Sequence, residues 1–113
     1  MKTGNLHDMF KGWFIGDFSP TVLKTDACEV AVKSYKAGDK EALHHHKMAT
    51  EVTLILSGRV RMCGKEWREG DIIVLEPGDA TDFEALTDAM NVVIKTPGAK
   101  NDKYWGNGVV HSA

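Results

Sequence analysis

The sequence predicts an all-β fold, a two-sheet sandwich or a closed barrel. Three observations carry this. Short runs rich in β-branched and aromatic residues recur along the chain, Gly, Pro, Asp and Ser clusters separate them, and no helical period of useful length appears. Closure into a barrel also hides strand edges that would otherwise stay unpaired.

The expected strands are residues 13–18, 28–35, 51–56, 59–63, 71–75, 81–85 and 90–96. Ser19-Pro20, Ala37-Gly38-Asp39, Ser57-Gly58, Cys63-Gly64, Glu69-Gly70-Asp71, Pro77-Gly78-Asp79 and Pro97-Gly98 supply the corners between them. Ahead of the first strand, Leu6, Met9, Phe10 and Trp13 suit one short amphipathic turn. The tail from residue 99 mixes Gly, Asn, Asp and Lys around Tyr104 and Trp105 without a period, and is expected either to wrap the barrel or to fray. With 113 residues, one domain spanning 1–113 is expected, its barrel core over about residues 28–96 and its two terminal segments wrapping it.

Hydrophobic residues at 42% and charged residues at 27% are ordinary globular values. The longest apolar run, residues 72–75, has the length of a strand, and the first twelve residues hold no apolar block. Neither a signal peptide nor a membrane span is therefore expected, and the expected location is the cytoplasm. A formal net charge of −2 with dispersed Lys and Arg gives no field for gathering nucleic acid. Cys28 and Cys63 lie in separate predicted strands and are expected to be reduced, half-buried thiols without a catalytic role.

The stretch from Gly38 to Glu51 is the most informative. On an extended strand His44 and His46 point to one face and His45 to the other. With four residues between it and His46, Glu51 can enter from the neighbouring strand, giving two nitrogens and one oxygen for a divalent ion, with iron, manganese, nickel and zinc all suited. A His-His-His run is equally consistent with an exposed polar turn. The wider spacing is more specific: glycine, five residues, His44, one, His46, four, Glu51, six, Gly58. This resembles the first signature motif of the cupin superfamily without a mismatch.

The segment from Gly70 through Pro77-Gly78 to Phe83 resembles the second cupin motif, with departures. Glu76 stands where the family usually has proline, Ala85 where it has asparagine, and Thr81 where it has the histidine that is the fourth metal ligand. The resemblance implies a double-stranded β-helix, or jelly-roll barrel, holding one divalent metal on His44, His46 and Glu51, with the other coordination positions open. Thr81 is then expected beside the metal or its water, a poor ligand but a capable hydrogen-bonding group. Asp82 reaches the site only if a bulge shifts the strand.

Two function classes stay open. The first is metal-dependent chemistry on a small polar molecule, of dioxygenase or isomerase/lyase type; the second is a non-catalytic sugar or small-molecule binding module, which the degraded second motif favours. No catalytic residue is assigned. Tyr35, Lys33, Arg59 and Arg61 are general-base candidates of undetermined facing; Tyr35 and Arg59, with Thr81, are expected to bind substrate or support the metal, and inward arginines would imply an anionic substrate. Trp13 and Trp67 are expected to plug the core, and Trp105 to cover the pocket or pack outside. If Glu51, Thr53 and Ile55 face inward, then Val52, Leu54 and Leu56 form an outer apolar stripe. A homodimer would cover it, in keeping with the resemblance; a terminal segment of the same chain is the alternative.

Overall fold

The computed structural model describes residues 1–107. The chain forms ten strands: β1 (Trp13–Ile15), β2 (Glu29–Tyr35), β3 (Lys40–His45), β4 (Thr50–Ser57), β5 (Arg59–Met62), β6 (Lys65–Arg68), β7 (Ile72–Leu75), β8 (Ala80–Ala85), β9 (Ala89–Thr96) and β10 (Tyr104–Trp105). The first sheet has the order β1-β2-β9-β4-β7 and the second β10-β3-β8-β5-β6. All the paired strands are antiparallel. The all-β expectation holds, with three strands beyond those marked by turn signals: β3, β6 and β10. β6 and β10 are short, charged or turn-rich pieces that the sheet edge makes regular by pairing. The expected amphipathic turn is a 3-10 turn over Leu6–Asp8 that buries none of its residues.

One device recurs at three corners. In Lys36 to Asp39, Arg68 to Asp71 and Glu76 to Asp79, a glycine with positive φ (93°, 88° and 92°) precedes an aspartate. The aspartate's backbone N–H donates to the first residue's carbonyl at 2.9 Å. Its carboxylate accepts the first residue's N–H at 2.8 to 2.9 Å. Glycine relieves the backbone and aspartate closes the turn, so the Gly-Asp pairs fix where the strands stop.

The lumen has two ends of different character. Ile55, Val60, Met62, Ile73, Leu75, Phe83, Ala85 and Ala89 form the buried core, with Tyr35 and Trp67 packed against it. Towards the other end, the same strands carry Glu51, Thr53 and Thr81 on their buried faces. Every second residue of β4 and β8 thus points inward, and the switch from apolar to polar along each strand closes one end and leaves the other lined by polar groups.

Arg59 and Arg61 are on the outward face of β5, where Arg59 pairs with Glu66 on β6. The inward pair is Val60 and Met62. Cys28 and Cys63 are both free, Cys63 exposed rather than half-buried. None of the helical residues described forms a segment long and apolar enough to cross a membrane.

Candidate metal and ligand site

His44, the last but one residue of β3, pairs with Thr81 of β8, and Glu51 of β4 pairs with Leu75 of β7 and Lys95 of β9. His46 lies one residue beyond β3. All three candidate ligands are buried and line one cavity of about 1170 Å³.

The imidazoles are oriented by backbone carbonyls. His44 Nδ1 lies 2.9 Å from the Ala42 carbonyl and His46 Nδ1 2.7 Å from that of Asp102. A carbonyl only accepts, so each Nδ1 carries a proton, and in the neutral ring each Nε2 is the nitrogen left to present a lone pair. His46 Nε2 is buried, has no hydrogen-bond partner, and sits 3.5 Å from Glu51 Oε1. Burial lowers the pKa of His44, which favours the neutral ligand form, although the Ala42 carbonyl opposes this. For Glu51, burial pushes the pKa up, but the contact with His46 and the charge of Lys95 outweigh it and the net shift is downward.

The arrangement is two-thirds assembled. His46 and Glu51 face each other, while the His44 ring stands 5.7 Å from that of His46, centre to centre. Two imidazoles ligating one ion place their centres about 5 Å apart, given nitrogen–metal bonds of about 2.0–2.1 Å. Among the described residues, no three His, Cys, Asp or Glu groups are already in coordinating positions. The orphaned His46 nitrogen and the adjoining carboxylate fit a borderline divalent ion.

The other expected site residues divide. Thr81 is in the lumen, opposite His44, but its hydroxyl is engaged: it donates to the Asp82 carbonyl and accepts the Cys63 N–H at 2.9 Å. Asp82 is exposed. Tyr35 is inside, its hydroxyl donating to Glu41 at 3.0 Å; burial and Glu41 push its pKa well above the ordinary phenol value. Arg59, expected as a substrate contact, is outside, because the β5 pairing turns Val60 and Met62 inward instead. Trp13 does not plug the core. It lines the cavity with Lys33 and Lys95 over its ring, and Trp105 lies at the same cavity, largely exposed. Trp67 does pack against the core, its indole N–H donating to the Met62 carbonyl.

Sequence reasoning missed Glu41, Lys95, Asn91 and Asp102. Counting by two from His44 puts residue 41 outside, but β3 carries a bulge between Glu41 and His44 that adds one residue against β8. Both Glu41 and His44 therefore line the cavity. Lys95 and Asn91 are inward because β9 is in register with Glu51 and Ile55 of β4, a pairing no local pattern reveals. Asp102 is buried, its carboxylate accepting the N–H groups of Lys47, Met48 and Ala49 at 2.9 to 3.1 Å. These three residues are the first three of the four that connect His46 to Glu51. Burial pushes the Asp102 pKa up, but the backbone donors outweigh it and hold it below the ordinary value. His45 points away from the cavity as expected, stacked on Tyr104 with its Nδ1 2.8 Å from the Gly106 carbonyl.

The sequence matches no protein-family model and no curated protein. Solved structures do match in fold. An uncharacterized conserved protein with a double-stranded β-helix domain from Klebsiella pneumoniae is similar at 22% identity and TM-score 0.68, over 76% of this chain and 75% of that one. The DMSP lyase DddQ from Ruegeria pomeroyi is similar at 19% identity and TM-score 0.68, over 82% of this chain and 49% of that one. A Bacillus subtilis oxalate decarboxylase studied for its Mn(II) centres is similar at 20% identity and TM-score 0.60, over 72% of this chain and 24% of that one. The fold is thus the double-stranded β-helix of the cupins, as the two motifs implied. Proteins of this fold include enzymes of several kinds, and fold alone does not choose among them.

Proposed function

We propose that this protein is a metal-dependent cupin acting on a small polar molecule in the barrel lumen, with His44, His46 and Glu51 holding one divalent ion. The observation that carries this is the buried His46 Nε2, without a partner and facing Glu51 Oε1 at 3.5 Å while Nδ1 is anchored to Asp102. An unsatisfied nitrogen in a buried site costs about 1–3 kcal/mol, and a cation there removes the cost. The bound ion would supply Lewis-acid polarisation of a carbonyl or hydroxyl or, as iron, oxygen chemistry. The chain's own residues would orient the ligand and restrict water: Tyr35 and Glu41 form a closed hydrogen-bonded pair on one wall, and Trp105 stands at the rim beside His44. Manganese in a similar fold supports a metal here, with iron, nickel and zinc equally compatible with the donor set.

The test is metal content, by elemental mass spectrometry, of untagged protein purified without chelator or metal affinity, beside His46→Ala. About one transition metal per chain in the parent and little in the variant is the expected result. No metal in either, and none taken up on reconstitution, would leave the second reading: a metal-free binding module. The engaged Thr81 hydroxyl favours that reading, since the fourth-ligand position offers nothing to a metal. We also propose that the protein is a homodimer through the outer face of the first sheet.

A further inference from the structure

Arginines inside the barrel would have implied an anionic ligand; they are outside, but lysines take that place. Lys33 of β2 and Lys95 of β9 both hold their ammonium groups over the Trp13 ring, 5.6 and 5.0 Å from its centre. Two ammonium groups beside one indole repel each other, and an anion shared between them would relieve this. Lys33 has a carboxylate partner, Glu41, at 3.5 Å, whereas Lys95 closes no ion pair among the described residues. Directly across from Lys33 in the β2–β9 ladder lies Asn91. It is 2% exposed and lines the cavity, and its Oδ1 has no partner. A buried amide oxygen without a donor calls for a ligand hydroxyl. The described residues lining the cavity include five lysines against four carboxylates, an excess of one positive charge that a divalent ion would raise to three.

We propose that the Lys33–Lys95–Trp13 wall with Asn91 binds the oxyanion end and a hydroxyl of a small hydroxylated acid, a carboxylate or a phosphate ester. The ligand's other end would be directed towards His44, His46 and Glu51. The inference rests on the proposed role of the lumen as a ligand site and adds the charge and functional groups of the ligand.

Isothermal titration calorimetry with malate, succinate, glycerol 3-phosphate and neutral malamide tests it, on metal-reconstituted and chelator-treated protein whose metal content is measured alongside. Saturable binding of malate or glycerol 3-phosphate, but not malamide, is expected, with the better of the two identifying the source of the oxyanion. Lys95→Met should weaken it roughly tenfold or more and Lys95→Arg should largely restore it, as expected for a charge-assisted contact. If malate binds, Asn91→Ala should narrow the preference for malate over succinate. Binding that malamide matches, binding that Lys95→Met leaves unchanged, or no saturable binding of either acid in either state would overturn the proposal. Failure of metal uptake would instead sink the metal centre, and the chelator-treated titrations would still decide the lysine wall.

Discussion

Asp102 shows how one residue can govern a site it does not enter. Its carboxylate gathers three consecutive N–H groups of the His46–Glu51 connection and its carbonyl fixes the His46 ring. Replacing it by alanine leaves three donors near a buried hole, and we expect a loss of about 2–3 kcal/mol of stability, read as a lower denaturant midpoint, together with weaker metal uptake. Asp102→Asn, which keeps the shape but removes the charge and two acceptor lone pairs, should fall between. The sign of the pH dependence follows from the same contacts. Both Asp102 and Glu51 have folded-state pKa values below their ordinary ones, so their stabilisation is fully present above about pH 4–4.5 and is lost as pH falls through the lowered folded values. Thermal melts from pH 6 to pH 3 should show the melting temperature dropping below pH 4.5, with a shallower drop in Asp102→Asn.

Among the elements, the segment 102–106 is the least regular and the most consequential. It supplies β10 against β3, the carbonyl for His45, the stacking ring of Tyr104 and the rim residue Trp105. Truncation after residue 99 should therefore lower the melting temperature and abolish metal retention while leaving the two sheets, as judged by circular dichroism. An intact metal stoichiometry in the truncated chain would show that β3 positions its histidines unaided. The glycine closing the first motif belongs to this scale too. Gly58 sits at φ +80° at the β4–β5 corner, where an added Cβ would run into the Asp88 carbonyl. Gly58→Ala should cost more than about 1 kcal/mol, because strain and steric conflict add at one position.

At the scale of the whole molecule, the outer face of the first sheet is the feature that asks for a partner. Val30, Ile94, Val52 and Val74 align in one row across β2, β9, β4 and β7, and Val32, Val92, Leu54 and Ile72 in the next. The described terminal segments leave its β7 side open, where Ile72 remains 61% exposed and Val74 52%, while Val30, Val32, Val52, Leu54 and Val92 are half-buried. Two such faces meeting about a twofold axis would bury both rows, and a pair of charged substitutions, Ile72→Lys with Val74→Glu, should convert a dimer to monomer in sedimentation velocity. A monomeric parent at micromolar concentration would remove this expectation.

Much of this was legible from residues alone. The Gly-Asp corners, the alternation in β4 and β8 and the spacing of His44, His46 and Glu51 are local patterns, set by φ/ψ limits and a two-residue period; they determined the all-β class and the three candidate ligands, while the choice of a barrel came from the resemblance of the two motifs. What the tertiary structure decided is everything that depends on which strand lies beside which. The bulge in β3 brings Glu41 into the lumen, and the β4–β9 register brings Lys95 and Asn91 in beside Glu51 and Ile55. The β5–β8 pairing puts Arg59 out, and residue 102 reaches back across more than fifty positions to hold the ligand loop. Hydrogen-bond register is a relation between distant segments, so no window of sequence contains it.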